Sequence, residues 1–157
     1  MSLTETKENL LGPILALDLG QKRVGVAISD PLMISITKLS ALNRSSWKQL
    51  LKDVAELARR FDARTLVIGL PLSLDGTWGS AASETQNVAV KFARSLEIPV
   101  YLQDEVLTSV EAEEQLRDAG HGSNEIRARV DSQAAAIILS DFIAGGGDRI
   151  LVSCNLT

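Results

Sequence analysis

Ile14-Leu15-Ala16-Leu17-Asp18-Leu19-Gly20-Gln21-Lys22-Arg23-Val24-Gly25-Val26-Ala27-Ile28-Ser29 is the stretch whose reading decides the fold. Ile14–Leu19 is a short apolar run that reads as a buried strand closed by a carboxylate near its end. Gly20–Lys22 is a turn. Arg23–Ser29 then places β-branched Val24, Val26 and Ile28 on alternate positions, the period of a second strand. Asp30-Pro31 breaks the pattern, and Ile34–Ala41 reads as a third strand in which Ile34 and Ile36 alternate with Ser35 and Thr37. Connections this short join antiparallel neighbours.

Downstream of this meander the period becomes helical. Ser46 and Gln49 have the spacing of a capping box, and Trp47, Leu50, Leu51, Val54, Ala58 and Phe61 share one face. Thr65–Leu70 reads as a buried strand, Ser73–Gly79 as a loop, and residues from about Ser83 to Leu96 as a helix with Val88, Ala89, Phe92 and Leu96 inward. Pro99–Gln103 is the fifth expected strand. Thr108 with Glu111 opens a short helix ending at Gly120, and a last helix runs from about Asn124 to Ala144, stopped by Gly145–Gly147. The order β-β-β-α-β-α-β-α-α predicts an α/β fold, a mixed five-stranded sheet with helices on its faces. Residues 1–11 read as an extension, 12–145 as one domain and 146–157 as a tail.

Length and composition agree with one globular domain. The chain has 157 residues, 45% of them hydrophobic and 23% charged, which excludes a fibre or a disordered segment. The single Cys154 cannot close a disulfide within the chain and suits a reducing cytoplasm. The longest aliphatic run, Ala134–Leu139, is far shorter than the roughly 18–20 residues that cross a bilayer, and no basic n-region precedes Leu10–Leu17. The expectation is a soluble, cytoplasmic protein with no membrane partner. Net charge is −4, but residues 20–60 carry eight basic and three acidic side chains, and residues 97–131 three basic and nine acidic. A basic region beside an acidic one suits an enzyme that holds a polyanion near a cation site; two solvated faces of opposite sign are the plainer alternative.

Three acids stand out by position. Asp18 ends an apolar strand, where a carboxylate needs a cation or a hydrogen-bond donor to offset desolvation; capping the Gly20–Lys22 turn is the alternative. Asp104 and Glu105 leave the fifth strand, and the pleat puts only one of them on Asp18's side. Asp131 shares a stripe with Ala135, Ile138 and Phe142 on the last helix, unless it is that helix's N-cap. Hard oxygen ligands of this kind hold Mg²⁺ or Mn²⁺, and two such ions about 3.5–4 Å apart serve phosphodiester hydrolysis. His121 is the one histidine, which excludes a mechanism needing two, and neither a G-x-S-x-G elbow nor a Walker A loop is present.

Four stretches in order now carry a resemblance: Leu17–Ala27, Gly69–Gly79, the Asp104-Glu105-Val106-Leu107-Thr108 run through Ala112, and Val130–Ala136. Together they resemble the YqgF family of pre-16S rRNA nucleases, relatives of Holliday-junction resolvases on a ribonuclease H-like fold. The resemblance implies that Asp18, Glu105 and Asp131 are the metal ligands of a phosphodiesterase. It further implies that Lys22 and Arg23 hold substrate phosphates, that Ser73 lies in a loop lining the cleft, and that Thr108 supports the acidic site. Arg127, one helical turn before Asp131, is a further substrate-binding candidate or an ion-pair partner. The chain departs from the family where Val106 replaces the Arg of an Asp-Glu-Arg triplet and where Ser73 replaces Asn. The implied substrate is structured RNA, the 5′ end of a 16S rRNA precursor within a ribosomal precursor particle, with branched DNA as the alternative polymer. A binding module without turnover is a second class of reading. An actin-like ATPase, suggested by Asp18-Leu19-Gly20, is a third, but it needs a second domain for the nucleotide.

Overall fold

The computed structural model describes residues 10–72, 77–105, 123–145 and 149–152. Its elements are β1 (Ile14–Leu19), β2 (Arg23–Ser29), β3 (Ile36–Asn43), α1 (Trp47–Arg60), β4 (Thr65–Pro71), α2 (Ser80–Ser95), β5 (Val100–Glu105), α3 (Ser123–Ala144) and β6 (Arg149–Val152). The expected short helix from Thr108 to Gly120 lies outside the described residues.

The sheet order is β3-β2-β1-β4-β5-β6. β1, β2 and β3 form the antiparallel meander, β4 and β5 join β1 in parallel through α2, and β6 returns antiparallel to β5. Strict alternation along the central strands feeds two cores. Leu15, Leu17, Val24, Val26, Leu66, Ile68, Val100 and Leu102 face α1 and α2, meeting Leu50, Val54, Val88 and Phe92. Ile14, Ala16, Ala27, Val67 and Tyr101 face the other way, onto Ala135, Ile138, Leu139 and Phe142 of α3. Among the described residues the result is three layers, α1 and α2, the sheet, and α3, with central strands apolar on both faces as a covered sheet requires. A fully buried side chain such as Phe142 contributes about 1.5–3 kcal/mol by leaving water.

Four sequence expectations are corrected. The sheet has six strands, not five, because Arg149–Val152 in the supposed tail forms β6 on its edge. Ile150 and Leu151 are 40% and 47% exposed, so hydrophobic patterning could not reveal the strand. It is held by backbone pairing, and Arg149 donates to the Phe142 carbonyl and stacks 4.3 Å from the Phe142 ring centroid. β3 begins at Ile36 rather than Ile34. The Asp30 carboxylate accepts the Ile34 and Ser35 N–H groups at 2.7 Å each, bending the chain and leaving Ile34 80% exposed. The Ser46 hydroxyl accepts the Gln49 N–H at 3.1 Å, but the Gln49 side chain turns to Asp53 at 2.8 Å, so half of the capping box forms. α2 starts at Ser80, three residues earlier than expected, with Gly79 as a cap that supplies no side chain.

Candidate active site

Because β1, β4 and β5 are parallel, their carboxyl ends meet at one edge of the sheet, the edge where sheets of this kind present ligand sites. Asp18 stands there, half-buried, opposite Gly25 of β2. It alternates with Ile14 and Ala16, which pack on α3, so Asp18 belongs to the α3 face.

The turn after Asp18 is built around Gly20. Its N–H donates to the Arg23 carbonyl at 2.9 Å, and a Cβ on Gly20 would approach that oxygen to 2.6 Å. Arg44, just beyond β3, fastens this turn from outside. Its backbone N–H donates to the Lys22 carbonyl at 2.9 Å and its Nη1 to the Gly20 carbonyl at 2.8 Å. Its Nη2 meets Glu84 Oε1 of α2 at 2.9 Å. Arg44 therefore ties the Asp18 turn to the helix that follows the Gly69–Gly79 stretch. Sequence reasoning missed it because one arginine after a strand, among eight basic residues, carries no local mark of a contact with a residue 40 positions away.

On β5, Asp104 and Glu105 lie in register with Leu70 and Pro71. Tyr101 packs toward α3, whereas Val100 and Leu102 pack toward α1 and α2. Parity therefore assigns positions 103 and 105 to the α3 face, with Asp18, and position 104 to the opposite face. On α3, Ala135, Ile138 and Phe142 are buried against the sheet, and position 131 lies one turn ahead of Ala135 on that stripe. The side chains of Glu105, Asp131 and Arg127 lie outside the described residues, as do Ser73 and Thr108 altogether. Among the described side chains, no three His, Cys, Asp or Glu groups cluster as a metal site.

Of the basic candidates, Lys22 is exposed at the turn and Arg23 is half-buried at the start of β2, in register with Asn43. Arg23 lines an open cavity of about 530 Å³ with Lys38, Leu39, Ser40, Ala41, Asn43 and Ser132. The Ser132 hydroxyl donates to the Leu39 carbonyl at 2.5 Å, and Lys38 Nζ donates to Gln133 Oε1 at 2.6 Å, fastening the middle of α3 to β3. The other half of the basic region, Lys48, Lys52, Arg59 and Arg60, belongs to α1 on the far side of the sheet. No described helix is long and apolar enough to cross a membrane.

A mixed sheet with an antiparallel meander, parallel crossovers and an acid-bearing carboxyl edge defines the ribonuclease H-like class to which Holliday-junction resolvases belong. Thermus thermophilus RuvC has this fold: its structure superposes with a TM-score of 0.52 at 13% identity, covering 88% of this chain and 100% of that one. RuvC in complex with a Holliday junction substrate gives 0.51 at 14% identity, covering 87% and 98%. At these identities the likeness is one of fold. The chain belongs to the RuvX family, described as Holliday junction resolvase, which matches residues 12–145. Among similar proteins, one from Gloeothece citriformis is 43% identical over 129 residues, covering 82% of this chain and 85% of its own. One from Anaeromyxobacter sp. (strain Fw109-5) is 38% identical over 131 residues, covering 83% and 96%. Both carry the name "Putative pre-16S rRNA nuclease". The resemblance to YqgF nucleases is thus a true family relation, and the family description and its relatives' names agree on nuclease or resolvase chemistry.

Proposed function

We propose that this chain is a divalent-cation-dependent nuclease that hydrolyses phosphodiester bonds in structured RNA, processing the 5′ end of the 16S rRNA precursor in the cytoplasm. Asp18, Glu105 and Asp131 hold Mg²⁺ or Mn²⁺ in a two-metal arrangement. The observation that carries this reading is the shared face: Asp18 at the end of β1, position 105 at the end of β5 and position 131 on the α3 stripe all belong to one side of one sheet edge.

The donor chemistry fits the cation. Three carboxylates are hard oxygen ligands suited to Mg²⁺ or Mn²⁺, and neither the lone His121 nor Cys154 makes a set for a softer metal. When bound, the cations supply Lewis acidity toward water and the phosphoryl oxygens. The chain's own residues do the rest. Asp18 is presented by a turn whose backbone Gly20 closes and Arg44 braces, so the chain at this edge is fixed before ligand arrives. Lys22 and Arg23 receive phosphates flanking the scissile bond, with Ser73, Thr108 and Arg127 as further substrate contacts. Of the six aromatic side chains, four pair within the two cores, Trp47 on Phe92 and Tyr101 on Phe142, which leaves few for base stacking. Recognition then rests on shape and phosphates, with marked salt dependence.

The test compares wild type with Asp18→Asn, Glu105→Gln and Asp131→Asn on a 5′-extended 16S precursor and on a four-way DNA junction. Each substitution abolishes cleavage and leaves nucleic-acid binding within a few-fold of wild type. Normal cleavage by Asp131→Asn removes the three-carboxylate site. Cleavage of the junction with the precursor left intact makes branched DNA the substrate.

A further inference from the structure

We propose that the open cavity between β3 and α3 is a second substrate subsite, which receives the phosphate backbone of the nucleic-acid strand leaving the cleavage site. This rests on the nuclease reading and assigns residues that it does not use: Lys38, Ser40 and Asn43.

The location follows from strand register. Asp18 of β1 pairs with Gly25 of β2, and Gly25 contributes no side chain to the α3 face. On that face Arg23 and Ala27 lie two residues to either side of Gly25; Arg23 pairs with Asn43 and Ala27 with Lys38 of β3. Lys38 is thus two strands from Asp18, roughly 10 Å across the sheet. A bulge supplies the room between Asn43 and Lys38. Val24 pairs with Leu42 but Val26 with Leu39, so β3 has one residue more than β2 over this interval, and Ser40 and Ala41 fall on the cavity wall.

The lining suits a phosphodiester backbone rather than bases or an apolar ligand. Among the described residues it offers two cations, Arg23 and Lys38, the hydroxyls of Ser40 and Ser132 and the Asn43 amide, and no aromatic ring or carboxylate. Lys38, Ser40 and Asn43 are exposed. Among the described residues the partner of Lys38 is the neutral Gln133 amide, which orients its ammonium group without cancelling the charge. Ser132 of the same helix is committed to the Leu39 carbonyl, so the wall of the cavity is fixed to the helix that carries Asp131.

The experiment measures binding of a fluorescent 5′-extended 16S precursor fragment in EDTA across a salt series, so that cleavage plays no part. Proteins are wild type, Lys38→Gln, Ser40→Asp and, as a control, Lys52→Gln on the exposed far face of α1. Losing one phosphate contact lowers the slope of log K against log salt by about 0.7–0.9, which is roughly five-fold in affinity at 0.1 M salt. That loss is expected for Lys38→Gln and at least as large for Ser40→Asp, with Lys52→Gln unchanged. Wild-type slopes for both cavity variants, or an equal loss in Lys52→Gln, overturn the subsite while the nuclease reading stands on its own carboxylate test. Failure of wild type to bind overturns both.

Discussion

Arg44→Ala removes a brace from the turn that presents Asp18, and its cost can be worked out contact by contact. The guanidinium donates to the Gly20 carbonyl at 2.8 Å, a charged hydrogen bond of the kind that contributes about 1.5–3 kcal/mol. The pair with Glu84 adds little, because the Glu84 side chain is 66% exposed and such pairs contribute roughly 0.2–1 kcal/mol. The Arg44 backbone bond to Lys22 survives the substitution, and Gly20 is open enough for water to replace part of the lost donor. The expected net destabilisation is about 2 kcal/mol, equivalent to a fall in Tm of about 4–8 °C for a chain of this size. Urea and thermal melts of Arg44→Ala, Glu84→Gln and the double variant measure it, with a coupling energy below about 1 kcal/mol. Because the turn carries Asp18, Mn²⁺ affinity measured well below the melting transition also falls, by about five-fold if roughly 1 kcal/mol of the brace is expressed at the site. A melt within about 0.5 kcal/mol of wild type, or a Glu84→Gln variant as damaged as Arg44→Ala, refutes the assignment of the stabilisation to the Gly20 contact.

Gly20→Ala forces a Cβ to within 2.6 Å of the Arg23 carbonyl oxygen, so the turn must shift. The expected cost is about 1–3 kcal/mol in a urea melt, with a loss of metal affinity that a remote surface glycine substitution does not produce. Asp30 is held below the ordinary carboxylate value of 3.8, chiefly by the Ser35 N–H and further by the Ile34 N–H. A depressed folded pKa gives stability that is complete above the unfolded value and is lost as pH falls through the folded one. Asp30→Asn therefore flattens the acid limb of the stability profile below about pH 4, and an unchanged limb contradicts the two bonds from the β2–β3 turn.

The central meander was legible in the sequence because Val24, Val26 and Ile28 alternate and Ile14, Leu15, Ala16 and Leu17 of β1 are all buried. The same rule misplaced Ile34, whose spacing fits a strand but whose backbone is captured by Asp30. β6 escaped notice because Ile150 and Leu151 bury no continuous apolar face, and its place is set by β5, distant in sequence. The acids were legible as types at strand ends and on a helical stripe. The pleat alone left positions 104 and 105 open and the family resemblance supplied Glu105; that α3 covers the Tyr101 side of β5, which puts position 105 on Asp18's face, is a tertiary fact. Charge counting merged two surfaces: Lys22, Arg23 and Arg44 surround the turn after Asp18 and Lys38 lies two strands away on β3, while Lys48, Lys52, Arg59 and Arg60 lie along α1. Arg44 and Lys38 were illegible for one reason. Their partners, Gly20, Glu84 and Gln133, are brought to them by the fold alone.

The most direct test of the carboxylate site is a calorimetric Mn²⁺ titration of wild type and Asp18→Asn, with cleavage of a 5′-extended 16S precursor followed in the same samples. A site built on Asp18 requires saturable Mn²⁺ binding and cleavage in wild type, both lost in a variant whose circular dichroism and melting curve remain those of a folded protein. Wild-type Mn²⁺ affinity and undiminished cleavage in folded Asp18→Asn contradict it.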